Sequence, residues 1–232
     1  MGGIPPIIGT LGYLKALSLH GNNLNDSFSM EGLCKLNLEE LDLSYNGFEG
    51  SLPACLNNLT SLRLLDLSGN DFRGTIPPSL LQSEVTRVLN LSGNALQGNI
   101  PSSMGDMEQL GSLDLSNNNL SGQLPEHMMM GCISLEVLKL SNNSLHDTLP
   151  TKSNLTRLSS LSLDNNDFWG EISHGFLNSS SLLLLDVSSN SLMGQIPDWI
   201  GDFSALRHLS CLEIIWMVLC QQAFANSMNY AF

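Results

Sequence analysis

Charge is scarce in this 232-residue chain, and basic charge is scarcer still: nine Lys and Arg stand against 22 Asp and Glu, for a net charge of −13. No basic run exists to meet phosphates or an anionic lipid surface, so contact with nucleic acid or membrane is not expected of it. Cysteine is equally thin. Cys34, Cys55, Cys132, Cys211 and Cys220 form no C-x-x-C pair and no Cys/His cluster, which excludes a zinc site and a disulfide-dense scaffold; no metal is expected. Long apolar runs are missing too: a bilayer span needs about 20 residues, and the nearest candidate, "LSCLEIIWMVLCQQAF", is interrupted by Glu213. The opening "MGGIPPIIGT" lacks the basic and apolar regions of a secretory leader. His20, His127, His146, His174 and His208 are scattered, no Ser/His/Asp set recurs, and there is no phosphate-cradling loop or kinase signature. Neither catalysis nor a cofactor is expected.

What is present is repetition. "LDLSGNDFRGTIP" at 65–77 returns as "LDVSSNSLMGQIP" at 185–197, and the shared Asn marks a ladder: Asn22, Asn46, Asn70, Asn94, Asn118, Asn143, Asn166 and Asn190. The intervals are 24 residues except for one of 25 followed by one of 23. Counted from each Asn, Leu tends to stand at −8, −5 and −3, Leu or Phe at +2, Gly at +4, and Ile or Leu with Pro at +6 and +7. Alternating leucines such as Leu65 and Leu67 predict a short strand with one apolar face. The Asn amide is suited to satisfy backbone groups at the turn that follows. Apolar residues at helical spacing, such as Leu56, Leu59 and Leu62, predict a short helix or 3-10 segment on the far side. A unit of this kind buries its apolar side only against its neighbours, so the fold class is an α/β solenoid with a parallel β-sheet on the concave face and short helical or 3-10 segments on the convex face.

The frame L-x-x-L-x-L-x-x-N-x-[LF]-x-G-x-[IL]-P resembles the plant-type leucine-rich repeat over about residues 2–209. Two phrases narrow the likeness. "LCKLNLEELDLSYNGFEGSLPACLNNLTSLRLLDLSGNDF" and "NIPSSMGDMEQLGSLDLSNNNLSGQLPEHMMMGCISLEVLKLSNNSL" are similar to ectodomains of plant leucine-rich repeat receptor-like proteins, cell-surface receptors without a kinase. The resemblance implies an extracellular, N-glycosylated module on the outer side of the plasma membrane, with co-receptor kinases of the leucine-rich repeat class as partners. It also implies a ligand: a peptide, a glycan or a microbial protein. Residues 1–13 read as a partial unit, 14–209 as eight Asn-marked units, and 210–232 as an off-frame apolar tail, so a truncated ectodomain fragment is expected. The alternatives are a secreted polygalacturonase inhibitor and a non-functional remnant.

Within that frame, the candidate ligand residues are outward strand positions at −7, −6, −4, −2 and −1 that do not repeat: Lys15, His20, Glu39, Glu40, Tyr45, Arg63, Arg87, Glu136 and Lys139. Asp42, Asp66, Asp114 and Asp186 recur at −4 and carry little information. Eight strands give a face of roughly 600 Å², short of the roughly 800 Å² per partner of a standard interface. Sequons stand at Asn25, Asn58, Asn90, Asn119, Asn142, Asn154 and Asn178; Asn58, Asn154 and Asn178 share the convex −12 position, while Asn90 falls mid-strand on the concave side. Cys34 and Cys55 lie at −12 and −15 of successive units, where buried free thiols are expected and a disulfide is the alternative; Cys132 reads as a buried thiol. Three units break the pattern: Asp26, Phe28 and Ser29 in the first, Asp147 at a Gly position, and Ser173 at a Pro position. All three are read as drift on the lateral edge, the alternative being a local change in curvature that shapes a ligand groove.

Overall fold

A computed structural model describes residues 2–25, 32–81, 83–211 and the backbone of 215–216. The irregularity at Asp26, Phe28 and Ser29 and most of the expected tail therefore lie outside the described residues. Each unit contributes a concave strand before its Asn and, with few exceptions, a second strand just after it. In chain order these are β1 (Ala16–Ser18), β2 (Glu40–Asp42), β3 (Glu49–Ser51), β4 (Leu64–Asp66), β5 (Asp71–Gly74), β6 (Val88–Asn90), β7 (Ala95–Asn99), β8 (Ser112–Asp114) and β9 (Asn119–Gly122). They continue as β10 (Val137–Lys139), β11 (Ser144–Thr148), β12 (Ser160–Ser162), β13 (Asp167–Gly170), β14 (Leu184–Asp186), β15 (Ser191–Gly194), β16 (His208–Ser210) and β17 (Ile215–Trp216).

Nine of them form one parallel sheet in the order β1-β2-β4-β6-β8-β10-β12-β14-β16. Its register matches the repeat, with Leu41 opposite Leu65 and Leu65 opposite Leu89. The remaining eight form a second parallel sheet, which the frame alone does not predict. The reason it forms is a short alternation after each Asn: Asp71 and Arg73 are exposed while Phe72 is buried, and three residues suffice to pair edge to edge. Here the register slips, because Gly50 faces Phe72 and Gly98 faces Leu120. A +4 residue thus meets a +2 residue, a shear of two positions or roughly 7 Å per unit. The two sheets advance along different directions, so the stack must wind. The expected tail contributes to this sheet as well: backbone pairing needs no sequence frame, and Ile215 and Trp216 pair with Met193 and Gly194.

From β3 to β15 the second-sheet strands carry a left-handed residue at their last or next-to-last position. Gly74, Gly98 and Gly170 have φ of 80°, 78° and 83°, and Asp147 adopts the same conformation at 90° in its own unit. The Asp147 departure is thus a side chain forced into a glycine conformation, with its carboxylate accepting the Thr148 N–H at 2.7 Å.

On the convex side most units make one 3-10 turn, such as Ala54–Asn58 and Ser102–Asp106. The 25-residue interval puts its extra residue in α1 (Glu126–Gly131). The bonds there run Met129 N to Pro125 O and Cys132 N to Met128 O, four residues back, where the preceding unit has Met104 N to Pro101 O, three back. Six α residues rise about 9 Å and five 3-10 residues about 10 Å, so the insertion changes helix type and not span. The 23-residue unit that follows makes no helical turn between Pro150 and Thr156. Its chain is tied instead to both neighbours, by Asn154 N to Met129 O and Ser153 Oγ to Gly175 O. Gly131 packs on Gly105 so closely that a Cβ would overlap the Gly105 carbonyl.

A single apolar core runs through the stack, from Leu33 to Phe203, with Phe48, Phe72 and Phe168 fully enclosed at +2. Each buried Leu or Phe contributes roughly 1.5–3 kcal/mol against the ordering of its unit. The Asn ladder holds the turns. Asn70 Nδ2 donates to Leu67 O, Ser68 O and, one unit earlier, Leu43 O, while its Oδ1 accepts the Phe48 N–H. Asn46, Asn94, Asn118, Asn143, Asn166 and Asn190 repeat the arrangement, whereas among the described residues Asn22 bonds only Leu19 O and His20 O.

The free-thiol expectation for Cys34 and Cys55 is overturned: they form a disulfide, with Cα atoms 5.8 Å apart. In 3-10 geometry residues three apart eclipse, so the −12 and −15 positions of adjacent turns share one azimuth and face each other. Cys132 is a buried free thiol donating to Met104 O, and burial followed by the charge of Asp106 pushes it up to about 12.

Candidate ligand-binding face

The outer surface of the nine-stranded sheet presents the candidate residues, and the fold itself consumes part of it. The recurring carboxylate at −4 accepts the N–H and hydroxyl of the Ser at −2: Asp66 from Ser68, Asp114 from Ser116, Asp186 from Ser188. Ser44, Ser68 and Ser116 are buried in consequence, so −2 is a largely closed position and not the open one expected. In Asp42 burial raises the carboxyl pKa, but the hydrogen bonds from Ser44 and Ser18 and the field of His20 outweigh it and leave the group below its ordinary value. Asn90 replaces Asp in this network: its Oδ1 takes the Ser92 N–H and hydroxyl while its Nδ2 donates to Asp66 at 3.0 Å.

The candidates fall into three groups along the face. At one end Lys15 pairs with Glu39 at 3.6 Å and also donates to Asn37 O, and Glu40 is exposed beside them. At the same end, on the far edge of the strands, the His20 ring stands edge-on to Tyr45, centroids 5.4 Å apart. In the middle Arg63 and Arg87 occupy adjacent −7 positions, linked by Arg87 N to Arg63 O, and both are exposed. Neither makes an ion pair among the described residues. Beyond Arg87, Gly111 leaves a gap in the −7 row, and a depression of about 480 Å³ opens there, lined by Arg87, Gln109, Ser112, Ser134, Glu136 and Arg157. Glu136 holds Arg157 at 2.6 Å, and Lys139 holds Asp114 at 3.5 Å.

Arg157 was not among the candidates because it lies at −9, just before the strand; its signal is only that it is a cation in a chain with nine. Trp169 and Met193, half exposed on the second sheet, also went unremarked, since that sheet was not foreseen. Asn58, Asn154 and Asn178 are exposed on the convex side, and Asn25, Asn119 and Asn142 are exposed elsewhere. The histidines are not brought together, and among the described residues no group of three His, Cys, Asp or Glu side chains could hold a metal. Nor is any helix among them long and apolar enough to cross a membrane.

Family models described as Leucine Rich repeats (2 copies) and Leucine Rich Repeat match residues 36–79 and residues 86–107, 109–129, 134–153 and 181–203, together more than half of the chain. The chain is a leucine-rich repeat protein. Its repeats are similar to those of Receptor-like protein 9a of Arabidopsis thaliana, 43% identical over 75 residues, which is 32% of this leucine-rich repeat chain and 8% of that protein. The fold matches the leucine-rich repeat ectodomain of the receptor kinase GASSHO1/SCHENGEN3 of Arabidopsis thaliana, solved in complex with CASPARIAN STRIP INTEGRITY FACTOR 2. That match has a TM-score of 0.81 at 31% identity, over 93% of this chain and 29% of that one. The plant peptide hormone receptor RGFR1, in complex with RGF2, matches with a TM-score of 0.82 at 31% identity, over 93% of this chain and 38% of that one. The leucine-rich repeat chain thus spans a small part of the length of each.

Proposed function

We propose that this chain is an extracellular recognition segment of a plant receptor-like protein, binding a peptide ligand on the concave face and signalling through partner receptor kinases in defence or development. The observation that carries the reading is the nine-stranded, in-register concave sheet, on which Arg63, Arg87 and the Gly111 depression are left over after the fold has used the −4 and −2 positions. The likeness to a peptide hormone receptor supports peptide as the ligand class. Nine strands about 4.8 Å apart give roughly 650 Å² of face, still under the roughly 800 Å² of a standard interface side, so the segment supplies part of a larger footprint.

The test is binding of the secreted chain to an array of synthetic 12-residue peptides, with Arg87→Glu and Lys139→Glu as concave variants and Arg73→Ala on the second sheet as control. Selective peptide capture lost in the concave variants and kept in the control supports the reading. Capture that the concave variants leave unchanged, or inhibition of a fungal polygalacturonase with no peptide capture, overturns it.

A further inference from the structure

All eight residues at the −1 position adopt the left-handed backbone conformation, and seven of them suit it: three are Gly, three are Asn and Ser189 is small. The eighth is Tyr45, at φ 52°. A bulky side chain is disfavoured there because its Cβ crowds the following carbonyl. Burial does not offset that disadvantage, since Tyr45 is 63% exposed. The ring is nevertheless fixed. It lies over Gly69, where a Cβ would come within 2.9 Å of Cδ1, so only glycine leaves room for it. The His20 ring meets it edge-on at 70°, and His20 is itself held by Nδ1 to Ser44 Oγ at 2.8 Å, with Ser44 fixed to Asp42. A strained, exposed and doubly braced aromatic has no role in the core; strain of this kind gathers where a side chain is aimed at something outside.

Charge indicates what that is. Asp42 lies three residues before Tyr45 and is tied through Ser44 to His20, Asp66 holds the same position in the next unit, and the hydrogen bonds on Asp42 outweigh its burial and keep it ionised. An aromatic face in acidic surroundings favours a cation over a neutral ring, because the ring quadrupole and the carboxylates act in the same sense. We propose that Tyr45, braced by His20 and floored by Gly69, is the anchor for a guanidinium or ammonium side chain of the peptide ligand. This rests on the reading of the concave face as the ligand surface.

The experiment uses the full chain against the same peptide array, with Arg, Lys, citrulline or norleucine at one varied position. The decisive variant is Tyr45→Asn, because Asn occupies this conformation in three other units. Capture of Arg and Lys peptides is expected to fall about ten-fold with citrulline or norleucine, and as much with Tyr45→Asn. At the same time the Tyr45→Asn chain should melt at the same temperature or up to about 4 °C higher. A structural role predicts the opposite: a lower melting temperature. Retained capture by Tyr45→Asn, equal capture of citrulline peptides, or preference for a neutral oligosaccharide overturns the proposal. If Arg87→Glu and Lys139→Glu abolish capture while Tyr45→Asn does not, the concave reading stands and only the anchor falls; if none of the three matters, both fall.

Discussion

Replacing Asn118 with Ala separates the ladder from the general packing of the core. The Asn118 amide donates to Leu91 O at 3.0 Å, Leu115 O at 3.1 Å and Ser116 O at 3.2 Å, and its oxygen accepts the Leu96 N–H at 3.0 Å. The carbonyls are shared. Leu91 O keeps the Asn94 amide, Leu115 O keeps that of Asn143, and Ser116 O keeps the Gly93 N–H. Only the Leu96 N–H loses its partner outright, in a residue that is fully buried. One orphaned buried N–H costs about 1–3 kcal/mol, and the two lost amide N–H bonds, shared among the three carbonyls, add about 0.5 kcal/mol each. The expected loss is therefore about 2–4 kcal/mol, measured by urea unfolding followed by circular dichroism. Asn22 is the control, because among the described residues its side chain bonds only Leu19 O and His20 O, and Leu19 O keeps the Asn46 amide. Asn22→Ala should cost less than about 1 kcal/mol, since no buried backbone group is orphaned and His20, whose carbonyl is released, is exposed to water. Equal losses for the two substitutions would refute the claim that the amide's reach into the preceding unit is what stabilises the stack.

Asp147→Gly should raise stability by about 1 kcal/mol, read as a higher melting temperature, because it relieves a left-handed aspartate. Removing the Cys34–Cys55 bridge by a double Ala substitution should lower it by about 3 kcal/mol in urea titration, given a loop of about 20 residues; Cys132 should stay unreactive to iodoacetamide until the chain unfolds. Asp42 has its folded pKa below the ordinary 3.8, so its contribution is present above about pH 4 and lost as pH falls through the folded value. Asp42→Asn should flatten that acid limb in thermal melts. Glycopeptide mapping of the secreted chain should find Asn58, Asn154 and Asn178 occupied and Asn90 bare, since a glycan there would break the Asn90–Asp66 bond.

The concave sheet and the ladder were legible because both are periodic: Leu65 and Leu67 point inward in every unit, and an Asn amide has only the turn to serve. The second sheet was not, because three-residue strands such as Asp71–Arg73 carry too short an alternation to stand out from a turn. The disulfide depended on whether the convex turn is 3-10 or α, which two cysteines at −12 and −15 do not reveal. Within the site, Tyr45 was visible as the lone aromatic of the face, but its significance depends on a backbone angle. Arg157 reaches the Gly111 depression through its pairing with Glu136, a contact between units that no single repeat encodes.

The residue gained in α1 and the residue lost in the unit after it return the chain to its 24-residue spacing, and the inner strands at Ser112, Val137 and Ser160 never leave alignment. Length can thus be edited on the outside without shifting the reading frame of the inside. A repeat protein built this way can drift in its outer turns, altering local bend, while the row of side chains on its inner face keeps its order and pitch.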